Sequence, residues 1–341
     1  MADMSEAGAL TGIARLAAGA PRTLERGDAE YFRLPVRSVL NRVSSRRVGF
    51  EWSINPYRGC TFGCRYCYAR YTHEFMELAP EAFERQIYVK ADAGRVLWRD
   101  LLRHQVAGSH IAIGAATDPY QPAEKQFGVT RTILETLLRY SRLLPGGGGL
   151  SLSITTKSNL VLQDLALLRA LASRNDLHVN VSITTLHRRL ARALEPRAPR
   201  PDLRLETVRR LAGAGIDVNV FVAPVLPGIT DGPRDLEALV AAAARAGAQG
   251  LMAHAVFLKP SAQRVFFPFL AQRFPHLLRR YRRWYGRGAY APEDYRRALS
   301  ATMGRLRARY GIKAPPRDGA AGQPDHGALA EQMELVFNTE E

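Results

Sequence analysis

The feature that most limits the folds open to this chain is a sixfold alternation of short β-branched runs with longer helical stretches, from Phe50 to about residue 285. The runs are "FEWSI" (50–54), "HIAIGAA" (110–116), "LSLSITT" (150–156), "HVNVSITT" (178–185), "DVNVFVAPV" (217–225) and "GLMAHAVFL" (250–258). Between them, "TRTILETLLRYSRLL" from Thr130, "NLVLQDLALLRALAS" from Asn159, "DLRLETVRRLAGAG" from Asp202 and "DGPRDLEALVAAAARAGA" from Asp231 repeat apolar residues at spacings of three and four, as amphipathic helices do. Asn159 and Asp202 stand where helix caps belong, and Gly215 stands where a helix stops. Strand followed by helix, six times over, predicts parallel pairing with right-handed crossovers.

An open doubly wound sheet satisfies the same alternation, and the position of the polar residues favours a barrel. Thr117 and Asp118, Thr156 and Lys157, Thr184 and Thr185, Pro224 and Pro227, and Lys259 all fall at C-terminal ends of runs, where a (β/α) barrel assembles its site from successive loops. The chain is therefore read as α/β, a partial (β/α)6 TIM-type barrel over residues 46–260. An N-terminal extension (1–45) precedes it; a basic helical C-terminal region packed on the barrel (261–311) and a flexible tail (312–341) follow. "PGGGG" at 145–149 has no Lys-Ser or Lys-Thr at a phosphate-loop offset and reads as a linker, and Glu124 with Lys125 reads as a surface pair.

All three cysteines of the 341 residues stand within eight positions, in "NPYRGCTFGCRYCYARY". An odd, clustered set cannot staple a chain of this length, so a reducing, cytoplasmic setting is expected. The N-terminus has acids early and lacks the basic start and apolar core of a signal peptide, and no window approaches the apolar length of a membrane span. The spacing of Cys60, Cys64 and Cys67 is C-x3-C-x2-C, and three converging thiolates suit zinc or iron. A structural zinc site needs a fourth ligand, which His73 could supply, giving a non-catalytic Cys3His knuckle. A four-iron cluster ordinarily takes four cysteines. With three, one iron stays open to another ligand.

The loop, with Tyr66 just before its last cysteine and placed after the first strand of a βα array, resembles the signature of the radical S-adenosylmethionine (SAM) superfamily. That resemblance implies a 4Fe-4S cluster on Cys60, Cys64 and Cys67 whose unique iron chelates the amino and carboxylate groups of SAM. It implies reductive cleavage to methionine and a 5'-deoxyadenosyl radical that takes hydrogen from a substrate, with a flavodoxin or ferredoxin as reductant. Together with "TDPYQPAEK" (117–125), "TTKS" (155–158) and "VAPVLPGITD" (222–231), the chain is similar to the relatives of spore photoproduct lyase described as DNA repair photolyases.

By the same resemblance, Tyr66, Thr117, Asp118, Lys157 and Ser182 would contact SAM, and the "PVLPGITD" element would pack on its adenine. Each has a plainer reading: Asp118 starts an Asp-Pro turn, Lys157 is a loop lysine, and Ser182 fills the barrel. Asn180 and Thr184 share the alternation face of Ser182, making a polar stripe toward the substrate. The chain departs from the lyase pattern at Ala115 and Ala116, where the lyase places a further cysteine that returns hydrogen to the product. Tyr68 would then relay hydrogen, or simply pack.

The formal charge is +16, and only five of the 48 basic residues are lysine, a balance that suits either a polyanion partner or an arginine-rich coding bias. From Arg264 to Arg309 twelve arginines face only Glu293 and Asp294. Arg279, Arg280, Arg282 and Arg283 are candidate nucleic-acid contacts, interleaved with aromatics that could stack on bases. In "YRRWY" the aromatics recur at core spacing, which equally describes a helical cap with its arginines outside. The substrate class is accordingly a nucleic-acid lesion, with a peptide or small metabolite as the alternative.

Overall fold

The computed structural model describes residues 10–43, 49–104, 106–144 and 149–315. The tail beyond residue 315 and linker residues 145–148 lie outside the described residues. The described strands are, in chain order, β1 (Arg22–Arg26), β2 (Ala29–Arg33), β3 (Leu40–Arg42), β4 (Trp52–Ile54), β5 (Tyr57–Arg58), β6 (Gln86–Val89), β7 (His110–Ile113), β8 (Ser151–Thr156), β9 (Asp176–Ser182), β10 (Asp217–Val225) and β11 (Gly250–Ala255). The larger sheet has the order β11-β10-β9-β8-β7-β4-β3. Its six expected strands are all parallel to their neighbours, and β3 adds an antiparallel edge on β4. The array follows chain order without closing, so it is an open (β/α)6 arrangement bounded by β3 and β11. Beyond β11, the chain after the last helix covers that edge: Leu251 N–H donates to Lys313 O (3.0 Å) and Lys313 N–H to Gln249 O (3.1 Å), which shields backbone groups that would otherwise template pairing.

Strand side chains alternate between faces, and here the two faces differ in kind. Ile54, Ile111, Ile113, Leu152, Ile154, Val179, Val181, Val218 and Val220 belong to one apolar core and are essentially inaccessible. The other face carries Ser53, Ser153, His178, Asn180 and Asn219, equally buried. Ser153, Asn180 and Asn219 are satisfied laterally. Asn219 Nδ2 donates to Asn180 Oδ1 (3.0 Å), and Asn180 Nδ2 reaches Thr155 Oγ1 (3.4 Å) across the next strand. Buried polar groups without such partners would cost more than the burial returns.

The helices hold two differences from the sequence reading. From Asn159 the chain first winds a tight 3-10 turn (Asn159–Asp164) and only then an α-helix (Leu165–Ala172), and Ser158 is the cap, its hydroxyl accepting from Leu160 N–H (3.2 Å). The next helix (Pro201–Gly213) opens on its proline with Arg200 as N-cap, which leaves Asp202 in the first turn; a proline there forfeits no hydrogen bond. Glu124 is buried rather than paired with Lys125: it accepts from the Tyr57 hydroxyl, Thr130 N–H (2.9 Å) and Arg131 N–H (3.1 Å), closing the start of the helix Val129–Ser141.

Residues 22–33, in the segment set apart as an extension, form the β1–β2 hairpin of a second sheet ordered β1-β2-β6-β5. Strand β5 leads directly into the cysteine loop. A second apolar cluster joins that loop, through Phe62, Tyr66 and Tyr71, to Leu226, Val256 and Leu258 at strand ends and to Phe266, Leu270, Leu277, Tyr281 and Tyr285 of the helices Pro260–Arg273 and Pro275–Tyr285.

At the N-terminal end of the barrel face, the His110 ring stacks on His178 (5.5 Å between centres, 19° between planes), and its nitrogens pair with Ser151 Oγ (2.7 Å) and Ser153 Oγ (2.8 Å). Burial, and then neighbouring His178, pushes the His110 pKa from 6.5 down to about 4; burial lowers His178 as well. The unfolded chain therefore binds more protons in this window, so the contribution to stability is whole above pH 6.5 and is lost as pH falls toward 4. His73, lowered by burial to about 4, acts in the same sense. We expect the urea midpoint to fall across this window, with His110 contributing on the order of 3 kcal/mol. H110Q, which cannot titrate, should flatten the fall; an unchanged slope in that variant would refute the assignment.

Candidate active site at the cysteine loop

The loop is built on glycine. Gly59 has φ +84°, and a Cβ there would lie 2.8 Å from the carbonyl oxygens of both Gln86 and Phe83, closer than any side chain tolerates, so β5 can turn into Cys60 only at a glycine. Cys60 N–H then donates to Phe83 O (3.0 Å), and Cys67 N–H to Cys64 O (3.2 Å). The three cysteines are free thiols: Cys60 and Cys64 are buried and Cys67 half-buried. Burial pushes each thiol pKa up, that of Cys64 to about 12. As thiolates they therefore call for a cationic group between them.

The donor set fits an iron-sulfur cluster better than a zinc ion. Among the described residues, no three His, Cys, Asp or Glu side chains are arranged to hold a single metal ion. His73 Nε2 bonds the Gln86 carbonyl (3.0 Å), with its ring packed against Phe83 and Tyr88, which leaves only the buried Nδ1 for a metal. Three thiols alone suit a cluster that keeps one iron open.

Around this loop the strand ends bring the other candidates. Thr117 donates to Gly59 O (2.6 Å) and accepts from Gln121 Nε2 (3.0 Å). Asp118, after β7, accepts from Thr156 Oγ1 (2.7 Å) and Tyr120 N–H (2.9 Å) on one oxygen and from Lys157 N–H (2.7 Å) on the other. The bond to Tyr120 makes it the Asp-Pro turn former as well. Burial raises its pKa, against those hydrogen bonds and the Lys157 charge. Lys157, after β8, has no hydrogen-bond or ion-pair partner for its ammonium among the described residues. Burial alone would lower its pKa, but Cys64, Glu195 and Asp118 raise it on balance. Ser182 ends β9. Thr184 lies beyond the strand, bonded to Tyr66 (3.1 Å) and Glu195 (3.0 Å). Asn180 belongs to the cross-strand amide ladder. The Tyr68 hydroxyl donates to the Ala115 carbonyl, and burial raises its pKa. Arg279, Arg280, Arg282 and Arg283 are exposed along the helix Pro275–Tyr285, while Tyr281 and Tyr285 point into the core.

Two residues that sequence reasoning missed complete the site. Gln121 clamps the loop twice, donating to Gly59 O (3.0 Å) and accepting from Thr61 N–H (3.0 Å). Glu195 accepts from the Tyr66 hydroxyl and pairs with Arg204 (2.5 Å), both side chains 1% exposed. Burial alone would raise the Glu195 pKa; the charges of Arg204 and Lys157 and the hydrogen bonds outweigh it, so the carboxylate stays ionised. Gln121 carries no periodic signal, and "LEPR" reads as a solvated turn.

An open (β/α)6 sheet with three free thiols on the loop after its first strand defines a class of cofactor-using enzyme. The chain belongs to the radical SAM superfamily, whose sequence profile matches residues 54–240. An uncharacterised protein of Mycobacterium tuberculosis is 34% identical over 332 residues, 94% of this chain and 95% of that one. An uncharacterised protein of Methanocaldococcus jannaschii is 27% identical over 202 residues, 59% of this chain and 70% of that one. Among solved structures, a spore photoproduct lyase variant superposes with a TM-score of 0.60 at 20% identity, covering 83% of this chain and 80% of the other. The lyase complexed with dinucleoside spore photoproduct gives 0.59 at 19%, with the same coverage. These establish a shared fold.

We expect Q121A to leave the barrel folded but to weaken iron retention after anaerobic reconstitution by roughly 10- to 100-fold, as loss of a partner behind a metal ligand does. Chelator competition on the loaded protein measures it, and wild-type retention would show that the clamp is dispensable.

Proposed function

We propose that Cys60, Cys64 and Cys67 hold a 4Fe-4S cluster and that the chain uses SAM to start radical chemistry on a damaged nucleic acid. The observation that carries this reading is the meeting of three free thiols, two buried and one half-buried, with Asp118 and Lys157 from the ends of two adjacent strands. When bound, the cluster and SAM supply reductive cleavage of the sulfonium to a 5'-deoxyadenosyl radical that takes hydrogen from the substrate. A radical SAM enzyme needs an electron donor, here a flavodoxin or ferredoxin.

The chain's residues bind and orient. Lys157 offers an otherwise unpartnered ammonium to the SAM carboxylate. Asp118, half-buried with three donors already on it, keeps one acceptor site of about four for the SAM amino group. Thr117 keeps one hydroxyl lone pair, and Ser182 contributes from the end of β9. Tyr66 is bound by its hydroxyl to Thr184 and Glu195, so it serves SAM through the backbone it fixes. Tyr68, a neutral phenol beside Cys67, relays hydrogen where the lyase uses a cysteine, and its bond to Ala115 O supports this role at that spot. Asn180 and Thr184, engaged within the protein, shape the wall.

A nucleic-acid substrate is supported by the exposed arginines of the helix Pro275–Tyr285 and by the shared fold with an enzyme solved in complex with a dinucleoside photoproduct. A peptide or small metabolite is the alternative. No described helix is long and apolar enough to cross a membrane.

The deciding experiment is anaerobic reconstitution, dithionite reduction with SAM, and quantification of 5'-deoxyadenosine. Wild type should produce it and C64A should not; equal yields, or none from a fully loaded wild type, would sink the proposal. K157M should weaken SAM binding about tenfold, some 1.4 kcal/mol, without lowering iron content. Irradiated DNA that is consumed no faster than a peptide pool would move the substrate to the alternative.

A further inference from the structure

The two halves of the cysteine loop are held by separate devices. Thr117 and Gln121 fix Gly59, and Gln121 and Phe83 fix Thr61 and Cys60. The later half hangs on the segment after β9. Arg65 N–H donates to Leu194 O (2.8 Å), Arg197 N–H to Phe62 O (3.2 Å), and the Tyr66 hydroxyl to Glu195. Glu195 is tied in turn through Arg204, which donates to Ser182 O (3.1 Å) and Pro199 O (2.8 Å). A continuous polar chain thus runs from the end of β9 through Arg204, Glu195 and Tyr66 to Cys67.

We propose that Glu195 is a positioning residue: it locks the Gly63–Cys67 limb to the end of β9, and through that limb fixes Cys64 and Cys67 as ligands. The proposal rests on the cluster reading above. Its chemistry is specific to a carboxylate. One oxygen accepts from Tyr66 and Thr184, and the other accepts from Arg204. All the partners are donors. A glutamine has the shape but not the charge: its NH2 either meets the Arg204 guanidinium, which cannot accept, or faces the Tyr66 and Thr184 hydroxyls, which must turn to accept from it, and either way the charge-assisted bonds to Tyr66 and Arg204 are weakened. Its negative charge also lies within reach of Cys64 and Lys157, where it opposes adding an electron to a bound cluster.

The test uses the full chain, first without iron. Amide hydrogen exchange in E195Q should be about tenfold faster in peptides over residues 62–68 and unchanged over 55–61, and Q121A should give the reverse pattern. Y66F removes one hydroxyl and leaves the ion pair, so it should reproduce the E195Q pattern even if E195Q folds poorly. Exchange that quickens in both halves alike, or in neither, overturns the proposal. In the reconstituted protein, E195Q should shift the cluster midpoint potential positive at equal iron content, a readout that general destabilisation does not produce; an unmoved potential and an unmoved electron paramagnetic resonance spectrum count against it. A wild type that takes up no iron removes the cluster reading, and the exchange pattern still decides the role of Glu195.

Discussion

The site depends on one constraint: six parallel strands whose alternate residues are aliphatic on the helix-covered side and small or polar on the other. The aliphatic side makes the strands immovable relative to one another, because Val179, Val181, Val218 and Val220 are packed without access to solvent. The polar side is bridged strand to strand by the Thr155–Asn180–Asn219 ladder and, lower down, by His110 with Ser151 and Ser153. These side chains spend part of their hydrogen-bonding capacity on one another. At the rim, Asp118 and Lys157 follow β7 and β8, and Ser182 ends β9.

At that rim the buried charges are arranged as a chain. Glu195 lies between Arg204 and the Lys157 field, while Lys157 lies between Glu195, Asp118 and Cys64. Taking an ion pair out of water costs more than its attraction returns unless the remaining lone pairs are filled. Here they are filled by Tyr66, Thr184 and backbone carbonyls. Stability is a poor reason to retain such a pair; holding Tyr66 at a set distance from the end of β9 is a better one. Lys157 is the member whose ammonium has no hydrogen-bond or ion-pair partner among the described residues, and the proposed contact with the SAM carboxylate rests on that.

The sequence made the parallel array legible because period two and period three-to-four are long-range signals that packing reinforces. It made the thiols legible because a spacing of three and two residues on one loop is local. The small sheet was not legible. Strand β1 is mostly exposed and polar, and β5 is two residues long, so neither shows an apolar alternation. Glu195 and Arg204 escaped for another reason: a charged residue in a turn or on an amphipathic helix is usually solvated, and nothing local reveals that the facing surface will be a buried tyrosine. Thr184 reads in the sequence as part of a polar stripe with Ser182 and Asn180, but the strand ends at Ser182, so its partners Tyr66 and Glu195 come from the cysteine loop and a turn.

The C-terminal helices show how the same rim is closed on its far side. The hydroxyls of Tyr281 and Tyr285 donate to Pro227 O and Val256 O (3.0 Å each), and Tyr295 donates to Asp231 (3.0 Å), whose other oxygen accepts from Gly228 N–H (2.8 Å). Each bond fastens a loop after β10 or β11, and Leu277 packs where any side chain at Gly228 would fall. The arginine-rich helix that leaves Arg279, Arg280, Arg282 and Arg283 in solvent therefore also sets the shape of the "VLPGITD" loop. One helix thus fastens the loops after β10 and β11 on its inner face while its arginines stay in solvent on the outer one.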